Sequence, residues 1–126
     1  MNDLKLQFAK AAMQSGVLVV TVTTEQIREA AQAYALRDEI LAILDSSKAT
    51  SLVLDLGQLT FVGSIGFLAF LGVRRHLASG RIVICSMSGP VREMFAVCQL
   101  ISSDPAKRAP FEAAETLESA VARIAA

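Results

Sequence analysis

Residues 51–73 carry a single charge, Asp55, and no other feature of the chain limits its possible folds so strongly. The run is long enough to span a bilayer. Yet Asp55, Gly57, Gln58 and Thr60 sit in its first half, where a membrane helix should be most apolar. We therefore expect no membrane insertion, and the run divides instead into a buried strand, a polar turn and a helix. Leu-Val-Leu-Asp-Leu at 52–56 is short and nearly all apolar, the pattern of a strand covered on both faces. A loop over 57–64 and a helix over 65–77 follow. Ser79-Gly80 ends that helix, and Arg74, Arg75 and His76 suit the negative end of its dipole.

A strand covered on both faces belongs inside a sheet, and the rest of the chain supplies one. Leu4, Leu6 and Phe8 alternate with Lys5 and Gln7, which predicts a strand over 4–8. Ser15-Gly16 predicts a turn, and the β-branched run over 17–22 a second strand, antiparallel to the first. Residues 23–31 are polar and favour neither helix nor strand. Leu36, Ile40, Ile43 and Leu44 recur at helical spacing opposite Arg37, Asp38, Glu39 and Asp45, predicting a helix over 34–44. A strand over 81–85 comes next. Gly89-Pro90 then opens a helix whose apolar stripe is Val91, Met94, Phe95 and Cys98. A loop over 104–110, an edge strand over 110–112 and a helix over 116–124 complete the chain. The order ββαβαβα(β)α predicts one α/β domain over 1–126. Its mixed sheet has four to five strands, with about four helices mainly on one face.

Charge and cysteine usage exclude several roles. The 12 basic and 12 acidic residues cancel, and the longest basic run is Arg74-Arg75. Nucleic-acid binding by phosphate neutralisation needs a basic stripe that is missing here. Cys85 and Cys98 follow Ile84 and Val97, and read as two small buried hydrophobes. Two thiols and one histidine do not make a zinc site, so neither a metal nor another cofactor is expected. Residues 1–8 lack the continuous apolar segment of a signal peptide, which makes a reducing cytoplasm the expected location.

The segment from Asp55 to Phe67 holds the chemistry. Ser64 falls at the predicted helix start. There its hydroxyl can cap a free backbone N–H, or it can carry a phosphate that faces the positive end of the dipole. The residues alone leave both readings open. Gly63-Ser64-Ile65-Gly66 partly resembles a nucleophile elbow, but Val62 stands where the first glycine must be. His76, the only histidine, lies twelve residues further along the predicted helix, about 18 Å away at 1.5 Å per residue. A serine–histidine pair is thereby excluded, and no phosphate-binding or metalloprotease motif is present. We expect no catalysis. Asp55, at the end of its strand, reads as a cap for loop amides more readily than as a lone acid.

Val53-Leu54-Asp55-Leu56 followed by Phe61-Val62-Gly63-Ser64-Ile65-Gly66-Phe67 resembles the STAS domain, the sulphate-transporter and anti-sigma-factor-antagonist family. The match continues through residues 80–84 and 91–100 into the last helix. In that family a serine-kinase anti-sigma factor phosphorylates the serine at the helix start, and the unphosphorylated domain binds it and frees the sigma factor. The resemblance implies that Ser64 is the phosphoacceptor, Gly66 the family glycine and Asp55 the family aspartate. Gly63 stands where the family has aspartate and Ile65 where it has a small polar residue. Gly63 is read instead as serving a turn with positive φ.

Ile65, Phe67, Leu68, Ala69, Phe70, Leu71 and Val73 point all around the helical wheel, more than one apolar stripe requires. Either both faces are buried or an apolar patch near Phe67 and Phe70 awaits a partner. The leading expectation is an anti-sigma factor antagonist in a partner-switching pathway, binding through Asp55, Gly63, Ser64, Ile65, Gly66, Phe67 and Phe70. The alternative is a structural STAS subunit of a larger complex, such as a transporter's cytoplasmic face, without a phosphate switch. Self-association is left open.

Overall fold

The computed structural model describes residues 5–102 and 109–125. The elements follow in the order β1 (Ala9–Gln14), β2 (Val17–Val22), β3 (Gln26–Ile27), α1 (Ala30–Ser47), β4 (Leu52–Asp55), β5 (Phe61–Val62) and a 3-10 turn (Ser64–Gly66). They continue with α2 (Phe67–His76), β6 (Ile82–Cys85), α3 (Gly89–Val97), β7 (Glu112–Ala114) and α4 (Leu117–Ala125). Five strands form one mixed sheet in the order β1-β2-β4-β6-β7, and β3 and β5 form a separate parallel ribbon. Only β1 and β2 are antiparallel; the other pairings in the large sheet are parallel, with Val19 opposite Val53 and Leu54 opposite Ile84.

Side-chain alternation sorts this sheet into two faces. Leu18, Val20, Leu52, Leu54, Ile82 and Ile84 point to one side and pack under α1, α2 and α3. Val17, Val19, Val53, Val83 and Cys85 point to the other, where α4 covers them with Ala120 and Val121. Three helices on one face and one on the other match the expected architecture. In β4 the side chains of Leu52, Val53 and Leu54 are fully buried. Each such side chain contributes about 1.5–3 kcal/mol from burial, so the strand that opens the low-charge run anchors both layers.

The hairpin corrects the first expected strand. Ser15 and Gly16 both adopt positive φ, 52° and 78°, the geometry of a tight two-residue turn. That turn places 9–14 opposite 17–22 and fixes the register at Gln14 opposite Val17. The strand therefore lies at 9–14 rather than 4–8. Leu6 and Phe8 pack partly buried beside the core, Leu4 lies outside the described residues, and Glu39 Oε1 accepts the N–H groups of Gln7, Phe8 and Ala9 at 2.9–3.1 Å. Helix α1 begins before the expected Tyr34 because Gln32 Oε1 accepts the N–H groups of Arg28 and Glu29, at 2.9 and 3.1 Å, and so closes the helix start. The edge strand falls at Glu112–Ala114, two residues beyond the expected start, preceded by a bridge between Ile101 and Phe111. Most of the expected loop over 104–110 lies outside the described residues.

The cysteines divide. Cys85 is buried in β6, and burial pushes its thiol up to about 11. Cys98 is exposed, against expectation, because α3 turns only Val91 and Phe95 into the core. The far end of α2 is tied down by Arg74, which donates to the carbonyls of Leu77, Gly80 and Pro110. Arg81 and Glu112 pair at 2.7 Å across the strand edge, and that hydrogen bond holds the Glu112 carboxyl below its usual range.

Candidate functional site

The chain leaves β4 through a tight turn. Asp55 Oδ1 accepts the Gly57 N–H at 2.9 Å, so this carboxylate caps the turn, as the loop reading of Asp55 has it. Thr60 and Phe61 donate to the Glu25 carbonyl, and Gly63 donates to the Ile27 carbonyl at 2.9 Å. These bonds build the β3–β5 ribbon, with Ile27 opposite Val62 and both side chains buried. The ribbon is a platform that carries the chain into the 3-10 turn and α2. Gly66 fits there because it lacks a Cβ: one would stand 2.6 Å from Val62 Cγ2 and 3.0 Å from Ile27 Cγ2. Gly66 is thus a close-packing residue.

Ser64 sits on top of this platform, exposed, as the first residue of the 3-10 turn. Its hydroxyl makes no hydrogen bond to the described residues. The capping reading of Ser64 is corrected: the N-cap position of the turn belongs to Gly63, and neither that turn nor α2 has a side-chain cap. Gly63 has φ −76° and ψ 166°, ordinary extended backbone. The expected positive-φ role of Gly63 is therefore also corrected, and a Cβ at this position would meet nothing closer than 3.7 Å. His76 ends α2, with its Nε2 3.1 Å from Asp45 Oδ1 on α1. It is engaged at the opposite end of the helix from Ser64.

The exposed apolar residues of α2 are not the expected ones. Phe67 and Phe70 are buried, because both rings pack on Phe95 of α3, at centroid distances of 4.9 and 5.5 Å. They cannot form a surface for a partner. Leu68 and Leu71 are the exposed apolar residues of α2, at 41% and 38%. Their spacing from Ser64, four and seven residues, places them along the same outward ridge. Ile65 is half-buried. A separate open groove of about 330 Å³ runs between β5 and α3, walled by Thr60, Phe61 and Val62 on one side and Pro90, Met94 and Val97 on the other. Val97 is 71% exposed. Sequence reasoning placed Met94 inside the core stripe and missed the groove. Met94 and Val97 are one helical turn apart on the side of α3 away from Phe95, and that second apolar pair was the available signal.

The arrangement offers an exposed hydroxyl at the rim of an apolar surface. Among the described residues no three metal-ligating side chains cluster, and no helix is long and apolar enough to cross a membrane.

Comparison with known proteins agrees with this geometry. The family model described as the STAS domain matches residues 9–121. A Bordetella bronchiseptica protein described as a candidate anti-sigma factor antagonist, BtrV, is 29% identical over 110 residues, covering 86% of this chain and 92% of that protein. An anti-sigma factor antagonist from Mycobacterium paratuberculosis superposes over 92% of both chains, with a TM-score of 0.74 and 24% identity. The anti-sigma factor antagonist SpoIIAA, in its unphosphorylated form, superposes over 92% of this chain and 96% of its own, with a TM-score of 0.62 and 19% identity. At these identities the structural similarity is one of fold. The family match takes in the mixed sheet, the ribbon, the Ser64 turn and most of α4, and the chain belongs to the STAS domain family.

Proposed function

We propose that this chain is an anti-sigma factor antagonist. It is a non-catalytic protein that binds a serine-kinase anti-sigma factor in the cytoplasm and is released by phosphorylation of Ser64. The carrying observation is the hydroxyl of Ser64, exposed and free of hydrogen bonds to the described residues, on the ridge it shares with Leu68 and Leu71. A partner docked on that ridge desolvates Ser64. A phosphate there adds about two negative charges inside the contact without disturbing the core below. The similarity to BtrV and the two antagonist structures supports the same reading.

The test is calorimetric titration of the cognate anti-sigma factor with the wild-type chain and with Ser64→Ala and Ser64→Glu. Incubation with ATP follows, with mass spectrometry to locate phosphate. Binding by the wild type and the alanine variant, loss with glutamate, and phosphate on Ser64 are expected. Gly63 favours a second reading, a STAS subunit of a larger complex with no phosphate cycle, because the family carboxylate beside the acceptor is missing. Tight binding without any phosphate on Ser64 would keep the interaction and remove the switch, whereas neither binding nor phosphate would select that second reading.

A further inference from the structure

Arg28 is a cation beside the Ser64 turn with no carboxylate partner among the described residues. Ile27 lies opposite Val62 in the ribbon, and the Gly63 N–H donates to the Ile27 carbonyl. Arg28 and Gly63 are therefore the next residues along two paired chains. Ile27 and Val62 point into the core, so alternation turns Arg28 and Phe61 outward. The Arg28 guanidinium lies over the Phe61 ring, 4.2 Å from its centroid. Its Nε donates to Gln26 Oε1 at 2.7 Å, and its terminal amino groups make no hydrogen bond to the described residues. Paired chains run about 4.8 Å apart and successive Cα atoms are about 3.8 Å apart. Ser64, one residue past Gly63, is thus within the reach of an arginine side chain.

We propose that Arg28 receives the phosphate carried by Ser64, closing an intramolecular guanidinium–phosphate pair across the top of the ribbon. This rests on the reading of Ser64 as the phosphoacceptor. The planar fork of a guanidinium suits a phosphate better than the ring face it now covers. Gly63 is what leaves Arg28 open: an aspartate at 63, next along the paired chain, would supply the carboxylate that Arg28 lacks. The departure from the family pattern at 63 and the unpaired cation at 28 are then one feature.

The experiment installs phosphoserine at 64 by genetic-code expansion. It needs neither kinase nor partner, so its outcome is separate from that of the proposed function. The phosphate is titrated by phosphorus NMR at low salt in the full chain, alongside Arg28→Gln and Arg28→Lys, with circular dichroism to confirm that each is folded. A phosphomonoester has its second pKa at about 6, and a nearby cation lowers it. The carboxylates around the site, Glu25 and Glu29 on the chain flanking Arg28 and Glu93 on the groove wall, are common to all three proteins. The wild type should titrate about half a unit below the glutamine variant, with the lysine variant between them, and about 1 M salt should close most of that gap. Coincident titrations of the wild type and the glutamine variant would overturn the proposal.

Discussion

Two serines begin helices at the same edge of the sheet, after the neighbouring parallel strands β4 and β6, and the fold uses them differently. Ser88 occupies the N-cap position of α3: its backbone is extended, its Oγ accepts the Val91 N–H at 3.4 Å, and Pro90 follows in the first turn. Ser64 stands one residue too late for that task. Gly63 holds the extended N-cap position, Ser64 already belongs to the 3-10 turn, and its hydroxyl faces outward. A shift of one residue along a helix start therefore separates a serine that caps its helix from one whose hydroxyl makes no bond among the described residues. The same residue type in the same setting carries two meanings, and the backbone position decides between them.

The largest effect that would break this contrast is on binding. Ser64→Asp introduces a fixed charge on the exposed ridge. Against an acidic partner group at about 5 Å, with an effective dielectric near 20, the cost is about 3 kcal/mol. That corresponds to about a hundredfold loss of affinity. The melting temperature of the free chain should stay within a degree or two. Ser88→Asp should leave affinity for the anti-sigma factor unchanged, since an acid also caps a helix. Calorimetry on both variants decides the point; equal losses at 64 and 88 would erase the distinction between the two serines.

The platform under Ser64 comes next. Gly66→Ala drives a Cβ against Val62 Cγ2 at 2.6 Å, and overpacking of this kind costs about 1–3 kcal/mol. Urea unfolding should show that loss. Affinity should also fall, because the ribbon and the 3-10 turn must part to admit the methyl group. A variant as stable as the wild type would mean that the close approach of α2 to the ribbon does not position Ser64.

Ser88→Ala should cost about 1 kcal/mol of stability through the lost cap, with binding intact. Ser64→Ala should change stability by less than about half that amount, because its hydroxyl has no bond to lose among the described residues. Thermal or urea unfolding of the pair measures the contrast directly. Equal losses in the two alanine variants would show that Ser64 also serves its helix.

How much of this was legible in the sequence depends on element length and on neighbours. The strands over 17–22, 52–55 and 82–85 announced themselves as β-branched or all-apolar runs, and their order gave the parallel sheet. The ribbon did not, since Gln26–Ile27 and Phe61–Val62 are two-residue strands, too short for any periodicity. The shift of the first strand to 9–14 follows from the turn at Ser15-Gly16, which sets the register more firmly than the alternation at Leu4, Leu6 and Phe8. Ser64, Gly66 and Asp55 stood out as a motif. The outward residues did not, because a helix that is apolar all round cannot say which side is covered. It took the Phe95 ring on α3 to bury Phe67 and Phe70 and leave Leu68 and Leu71 outside.

One further effect, a gain rather than a loss, sharpens the comparison from the other side. If Gly63 is an N-cap position without a cap, filling it should stabilise the chain. Its φ of −76° and ψ of 166° suit any residue, and the nearest atoms to a new Cβ are the Ile27 carbonyl oxygen and Phe61 Cε1, both at 3.7 Å. Gly63→Asp gains a few tenths of a kcal/mol as a cap and about 0.4–1 kcal/mol by restricting the unfolded chain. A total gain of about 0.6–1.5 kcal/mol in urea unfolding is expected. The carboxylate should also draw on Arg28, whose guanidinium has, among the described residues, only the Phe61 ring and Gln26 to hold it. Gly63→Ala separates the contributions: it keeps the restriction of the unfolded chain and lacks the oxygen. Aspartate should exceed alanine in stability, and the excess should shrink as the pH falls through the aspartate pKa and the cap is protonated. An aspartate variant less stable than the wild type at neutral pH would mean that the turn needs glycine at 63 for a reason other than space or φ.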